Sequence, residues 1–195
     1  MFSAGQIEIM IRRTQLSTAE HDEKLYEHLD EAQNFGARFL KELEMEAAAS
    51  RKCLERIPEN LFDWRPHEKS MNLGYLALLV AEIPKWIMIM INESELDFGT
   101  HKHFEPKTTG ELVAHFDENL AEAKKALRDF SDEDLEKPFQ LKNQGQTVGE
   151  GTKLLMIEPT INHLVHHRGQ LTVFMRLKDI PVPSIYGPSA DERSF

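Results

Sequence analysis

The stretch 73–91 constrains the fold more than any other part of the chain. From residue 76 onward it is apolar on nearly every side, and Glu82 and Lys85 are its only charged residues. A helix that is hydrophobic all round lies in a protein core or in a membrane. The two charges and Pro84 argue against a membrane span, because each charge near a bilayer centre costs about 2.5 to 3.5 kcal/mol. The stretch therefore predicts a helix at the centre of a bundle.

Helical patterns also dominate the rest of the chain, and no series of alternating strands is visible. Ser70 is a plausible N-cap for the central helix, and Thr108 and Glu111 have the spacing of a capping box. The glycine-rich stretch 139–152 predicts an irregular connection. The predicted helices run from Asn34 to Ile57, from Ser70 to Asn92, from Thr108 to Leu127 and from Lys153 to Lys178. The fold class is therefore all-α, with four principal helices.

The chain divides into an N-terminal extension, residues 1–33, and one bundle domain, residues 34–192. The extension is charged, and its role cannot be read from the sequence. The segment from Pro181 to Pro188 predicts an extended C-terminal tail, and the apolar Ile185 and Tyr186 favour its packing against the bundle.

The composition excludes several classes of partner. The chain has 195 residues and a formal net charge of −10, without a basic cluster, so nucleic acid and anionic membranes are poor candidates. The first thirty residues contain no apolar run long enough for a signal peptide. Cys53 is the only cysteine, which fits a reducing cytoplasm. It is either a reactive thiol or an inert helix residue.

The last predicted helix contains three of the nine histidines within one five-residue segment, at positions 163, 166 and 167. A helix turns about 100° per residue, so His163 and His167 project from one face and can direct two ring nitrogens at one metal ion. Leu171 and Phe174 continue that face, which places the pair toward the core. A structural histidine pair is the alternative. Arg168 either holds an anionic substrate or pairs with an acid.

Glu82 requires a partner, because a buried carboxylate without one costs several kcal/mol. One interpretation joins Glu82 to His163 and His167 around a divalent cation, with positions left open for water or substrate. The other is a hydrogen bond to a backbone group freed by Pro84, or to a neighbouring histidine or arginine. No role is predicted for His101 and His103, which lie in a polar connection, or for His115 on the third helix, and no catalytic residue is assigned.

Several segments together resemble the DinB-like superfamily. They are Trp64–Ser70, Leu73–Ala77, Ala81–Trp86, His163–Leu171 and Val182–Glu192. The resemblance implies an up-down-down-up four-helix bundle that is often dimeric and holds zinc or nickel through three histidines. It also implies activities such as thiol-dependent S-transfer or metal-dependent hydrolysis of a small molecule.

Two ligands of that family pattern match His163 and His167, whereas the third position holds Leu79, which cannot bind a metal. Glu82 lies one turn further along and is a candidate substitute. Two functions follow as hypotheses. The first is a cytoplasmic, dimeric enzyme that uses a divalent metal and acts on a small molecule, with a low-molecular-weight thiol as one candidate partner. The second is a metal-free, non-catalytic dimeric module of the same fold, with a stress-related or interaction role.

Overall fold

The computed structural model of the protein describes residues 34–193. Within that range, the chain forms four α-helices joined by short 3₁₀ turns and a small sheet. The helices are α1 (Phe35–Leu54), α2 (Leu73–Asn92), α3 (Thr109–Arg128) and α4 (Lys153–Leu177). The four predicted helices are confirmed, each with ends within a few residues of the prediction.

Side-chain caps fix the helix starts. Thr108 accepts a hydrogen bond from the Glu111 backbone N–H, as its spacing predicted. The prediction for α2 is wrong by two residues, because Asn72, and not Ser70, caps this helix by accepting from Tyr75 N at 2.7 Å. Both residue types are good N-caps, so only the path of the preceding loop decides between them.

The expectation of a purely α fold needs correction, because the segment predicted to be irregular forms most of a three-stranded sheet. Strands β1 (Glu95–Asp97) and β2 (Pro138–Asn143) pair in parallel, and β2 pairs with β3 (Gln146–Thr152) antiparallel. Gln144 and Gly145 turn between β2 and β3 with positive φ angles of 52° and 77°, as a tight hairpin requires. The glycines and polar residues of β3 hid the strand pattern.

Helix α2 lies at the centre of the bundle, as predicted. It packs mainly against α3 and α4, and α1 packs against the same two helices, so α1 and α2 lie across the bundle from each other. Helix α2 is long and apolar enough to cross a membrane, but 72% of its most apolar window is buried inside the protein. That degree of burial is expected of a core helix.

The C-terminal tail packs against the bundle, but only partly through the residues predicted. Ile185 packs against the core, whereas Tyr186 is 70% exposed and contacts Glu46 and Arg168 through its hydroxyl group. Ile180 is buried, Arg56, just after α1, pairs with Glu192, and Arg176 of α4 pairs with Asp191. The predicted extension, residues 1–33, lies outside the described residues, and the boundary at residue 34 stays a prediction.

Candidate metal centre

Helix α4 brings His163 and His167 together. Their Nε2 atoms are 2.7 Å apart, and the two rings are 4.4 Å apart between centroids. This confirms the prediction that residues one helical turn apart direct their imidazoles to the same point. His166 is exposed on a different side of the helix, and only its ring edge approaches His167.

Gln170 determines the protonation of the pair. Its Oε1 lies 2.8 Å from His167 Nδ1 and can only accept, so Nδ1 carries the proton and Nε2 keeps its lone pair. His163 Nε2 then donates to that lone pair. Burial lowers the pKa of both His163 and His167, so both rings are neutral near pH 7, the form in which imidazole binds metals.

Trp86 of α2 forms one wall of this pair. Its indole lies 5.6 Å from the His163 ring and 5.8 Å from the Phe98 ring between centroids. The indole N–H is buried and has no acceptor among residues 34–193. Leu79, in the same helix, is a buried hydrocarbon side chain. The wall beside His163 is therefore aromatic and carries one buried N–H donor.

Glu82 is not directed toward the histidine pair. The residue is completely buried, and its Oε2 lies 2.6 Å from His103 Nδ1 while its Oε1 accepts from the Phe104 backbone N–H at 3.0 Å. His115 Nε2 is 3.5 Å from the same Oε1. The structure thus matches the alternative in which a neighbouring histidine partners Glu82.

A second histidine group forms around this carboxylate, and sequence reasoning missed it. Among the described residues, one candidate set of three ligands has all its donor atoms within 4.8 Å of one another: Glu82, His101 and His103. His101 and His103 follow β1, and His115 comes from α3. The His-x-His spacing in the loop was visible in the sequence, but nothing in the sequence placed that loop over Glu82.

Arg168 is almost completely buried, at 1% exposure, and pairs with an acid as the sequence suggested. Its guanidinium lies 2.5 Å from Glu46 Oε2 and donates to Glu46 O and to Tyr186 OH, each at 2.9 Å. Tyr186 OH in turn contacts both Glu46 carboxylate oxygens. Because these groups satisfy one another, Arg168 has a structural role in joining α1, α4 and the tail.

The histidine pair has the donor chemistry that a divalent metal requires. Two imidazole nitrogens bound to tetrahedral zinc at about 2.05 Å would lie about 3.3 Å apart. The observed 2.7 Å is therefore shorter by only about 0.6 Å, which small side-chain rotations supply. His163 and His167 therefore fit two positions of such a site.

Comparisons with known proteins agree with this architecture. The model of the DinB family matches residues 17–193. Protein YrdA of Bacillus subtilis is 29% identical over 157 residues, which cover 79% of this chain and 89% of YrdA. The crystal structure of a DinB-like protein from Bacillus subtilis, YjoA, covers 80% of this chain and 99% of its own at 15% identity and a TM-score of 0.60. A DinB-like protein from Bacillus cereus covers 76% of this chain and 95% of its own, with 21% identity and a TM-score of 0.55.

Proposed function

This chain belongs to the DinB family, and on that premise we propose that it is a metal-dependent enzyme acting on a small molecule, as a thiol S-transferase or a hydrolase. One observation carries the proposal: the Nε2 atoms of His163 and His167 converge to 2.7 Å on one face of α4. Helical spacing alone does not require such convergence, because exposed histidines one turn apart adopt many rotamers.

His163 and His167 are the residues that would hold zinc or nickel. When bound, such a metal is a Lewis acid that lowers the pKa of a coordinated water or thiol toward neutrality. Gln170 keeps His167 in the tautomer with a free Nε2 lone pair, the role that a hydrogen-bond partner plays behind metal-bound histidines. Burial of both rings keeps protons from competing for the lone pairs near pH 7.

The environment of the pair supports a small polar substrate. The buried Trp86 N–H, beside His163 and without an acceptor in the described part of the chain, is suited to donate to an oxygen or sulfur of a bound molecule. The net charge of −10 disfavours nucleic acid as a partner. We further propose an up-down-down-up order of the helices, a homodimer and a cytoplasmic location, as the family resemblance and the single cysteine suggested.

Elemental analysis of protein purified without a metal-affinity tag tests the proposal. We expect zinc or nickel in the wild type, and about one equivalent less of that metal in a His163→Ala, His167→Ala variant. A His166→Ala variant is the matched control, because it removes an exposed imidazole from the same helix. Equal metal content in all three proteins, or none in the wild type, would reject the pair as the metal centre.

The second candidate function, a metal-free interaction module, is favoured by one observation. The hydrogen bond between His163 and His167 satisfies both Nε2 atoms without a metal. Leu79, which the resemblance assigns to the third ligand position, is a buried hydrocarbon side chain. In that case chelator leaves the thermal stability unchanged, whereas loss of a bound metal lowers it.

A further inference from the structure

We propose that Glu82, His101 and His103 form a second binding site for a divalent transition-metal cation, separate from the His163 and His167 pair. The donor atoms of these three residues all lie within 4.8 Å of one another. They come from helix α2 and from the loop after β1, so the site is created by the docking of that loop on the bundle.

The charge of Glu82 is the first argument. The carboxylate is completely buried, and the ion-pair partners within residues 34–193 are His103 and His115, with no lysine or arginine. A buried carboxylate needs a positive charge close by to remain ionised. Glu46, the comparable buried acid, has Arg168 at 2.5 Å. No lysine or arginine among residues 34–193 pairs with Glu82, so a divalent cation would supply the missing positive charge.

The donor set is the second argument. Two imidazoles and one carboxylate bind zinc and other first-row divalent metals, and leave coordination positions for water or substrate. His101 Nε2 is buried and has no hydrogen-bond partner within the described residues, although buried ring nitrogens are normally bonded. The His103 side chain is 33% exposed, so solvent and ions reach the cluster from one side.

The surroundings of Glu82 are the third argument. The Phe104 backbone N–H holds Oε1, which leaves Oε2 directed at His103. A hydrogen bond to one carboxylate oxygen commonly orients the other oxygen toward a bound metal. The Phe104 ring stacks on His115 at 4.3 Å, and Tyr75 contacts the His103 ring edge. These packed side chains limit the rotamers of both the loop and the carboxylate.

Zinc titration of tag-free protein, first stripped with chelator and then freed of it, tests the site. We measure binding by calorimetry and, with Co²⁺ as a second probe, by absorption. We expect His103→Ala to weaken one class of site at least about tenfold, the minimum effect typical of damage to a metal site. That class should survive in the His163→Ala, His167→Ala variant. His103 is partly exposed, so its removal leaves the core intact.

His67→Ala, at an exposed loop histidine, is the matched control and should bind zinc as the wild type does. Glu82→Gln keeps the side-chain shape and should abolish the same class of site as His103→Ala. The inference is overturned if His103→Ala and Glu82→Gln, shown folded by circular dichroism, bind zinc like the wild type. It is also overturned if all binding vanishes with His163 and His167. If the His163 and His167 pair binds no metal, the zinc binding that depends on His103 should still be observed. The two proposals are therefore tested separately.

Discussion

Glu46 and Glu82 are both buried carboxylates, but the two regions of the bundle neutralise them differently. Glu46 pairs with Arg168 and accepts from Tyr186, which closes a network between α1, α4 and the tail. Glu82 is bonded by a backbone amide and by His103. An arginine keeps its charge at all physiological pH values, whereas histidine exchanges protons and binds metals. The first region thus pairs its carboxylate with a permanent cation, and the second pairs it with side chains of a type that can also bind a metal.

The largest expected effect comes from Arg168→Met. Removing the guanidinium leaves Glu46 buried without its cation, and breaking such a pair costs about 3 to 5 kcal/mol. Urea unfolding followed by circular dichroism measures the loss. The double variant Glu46→Met, Arg168→Met should recover much of it, since no charge remains buried. Equal stability of the single variant and the wild type would show that this network is not structural.

Glu82→Gln should lower the free energy of unfolding by less, about 1.5 to 3 kcal/mol, the range for hydrogen bonds to charged groups. The amide oxygen still accepts from Phe104 N, and only the contact with His103 loses its charge. The same urea experiment, in chelator, gives the value. A loss as large as that of Arg168→Met would contradict the proposed difference between the two regions.

The pH dependence of the unfolding free energy also distinguishes the two regions. Burial lowers the pKa of His101 from 6.5 in the folded protein. The unfolded chain therefore binds more protons below that value, so the stability contributed by this group falls as the pH falls below 6.5. With chelator present, we expect His101→Gln to reduce this loss, and His67→Gln to leave it unchanged. If His101→Gln and the wild type have the same dependence of unfolding free energy on pH, then His101 is not part of the buried cluster.

Leu79→His tests the position that the family resemblance assigned to a third metal-binding imidazole. We expect zinc affinity at the pair to rise at least about tenfold, equivalent to about 1.4 kcal/mol. Calorimetry in a His103→Ala background isolates this site from the cluster around Glu82. Leu79→Met, which keeps an apolar side chain, is the control. An unchanged affinity in Leu79→His means that position 79 does not face the pair.

The smallest effect concerns Cys53, which lies in α1 close to the Glu46 region. Burial raises its pKa to about 11, and the side chain is fully buried, which supports the inert interpretation over the reactive one. We expect a thiol reagent at about pH 8 to label native protein much more slowly than unfolded protein. Rapid labelling of the native state would show that water enters this region.

The apolar pattern of α2 determined much of the fold in advance, because a helix hydrophobic on all sides has only a protein core or a membrane to enter. Capping at Thr108 and the apolar residues of the tail were equally local signals. The sheet was missed because β3 carries glycines and polar residues, so its strand conformation depends on pairing with β2. Asn72 displaced Ser70 as a cap for a similar reason, since the loop path selects between two suitable residues.

The same division holds for the candidate sites. Helical periodicity determined that His163 and His167 share a face, and the sequence by itself required that Glu82 have a partner. Only the tertiary structure decided which partner, because the loop after β1 and helix α3 bring His103 and His115 to Glu82 from positions 21 and 33 residues further along the chain. Local spacing specifies what lies on one helix, whereas contacts between elements depend on how the bundle closes.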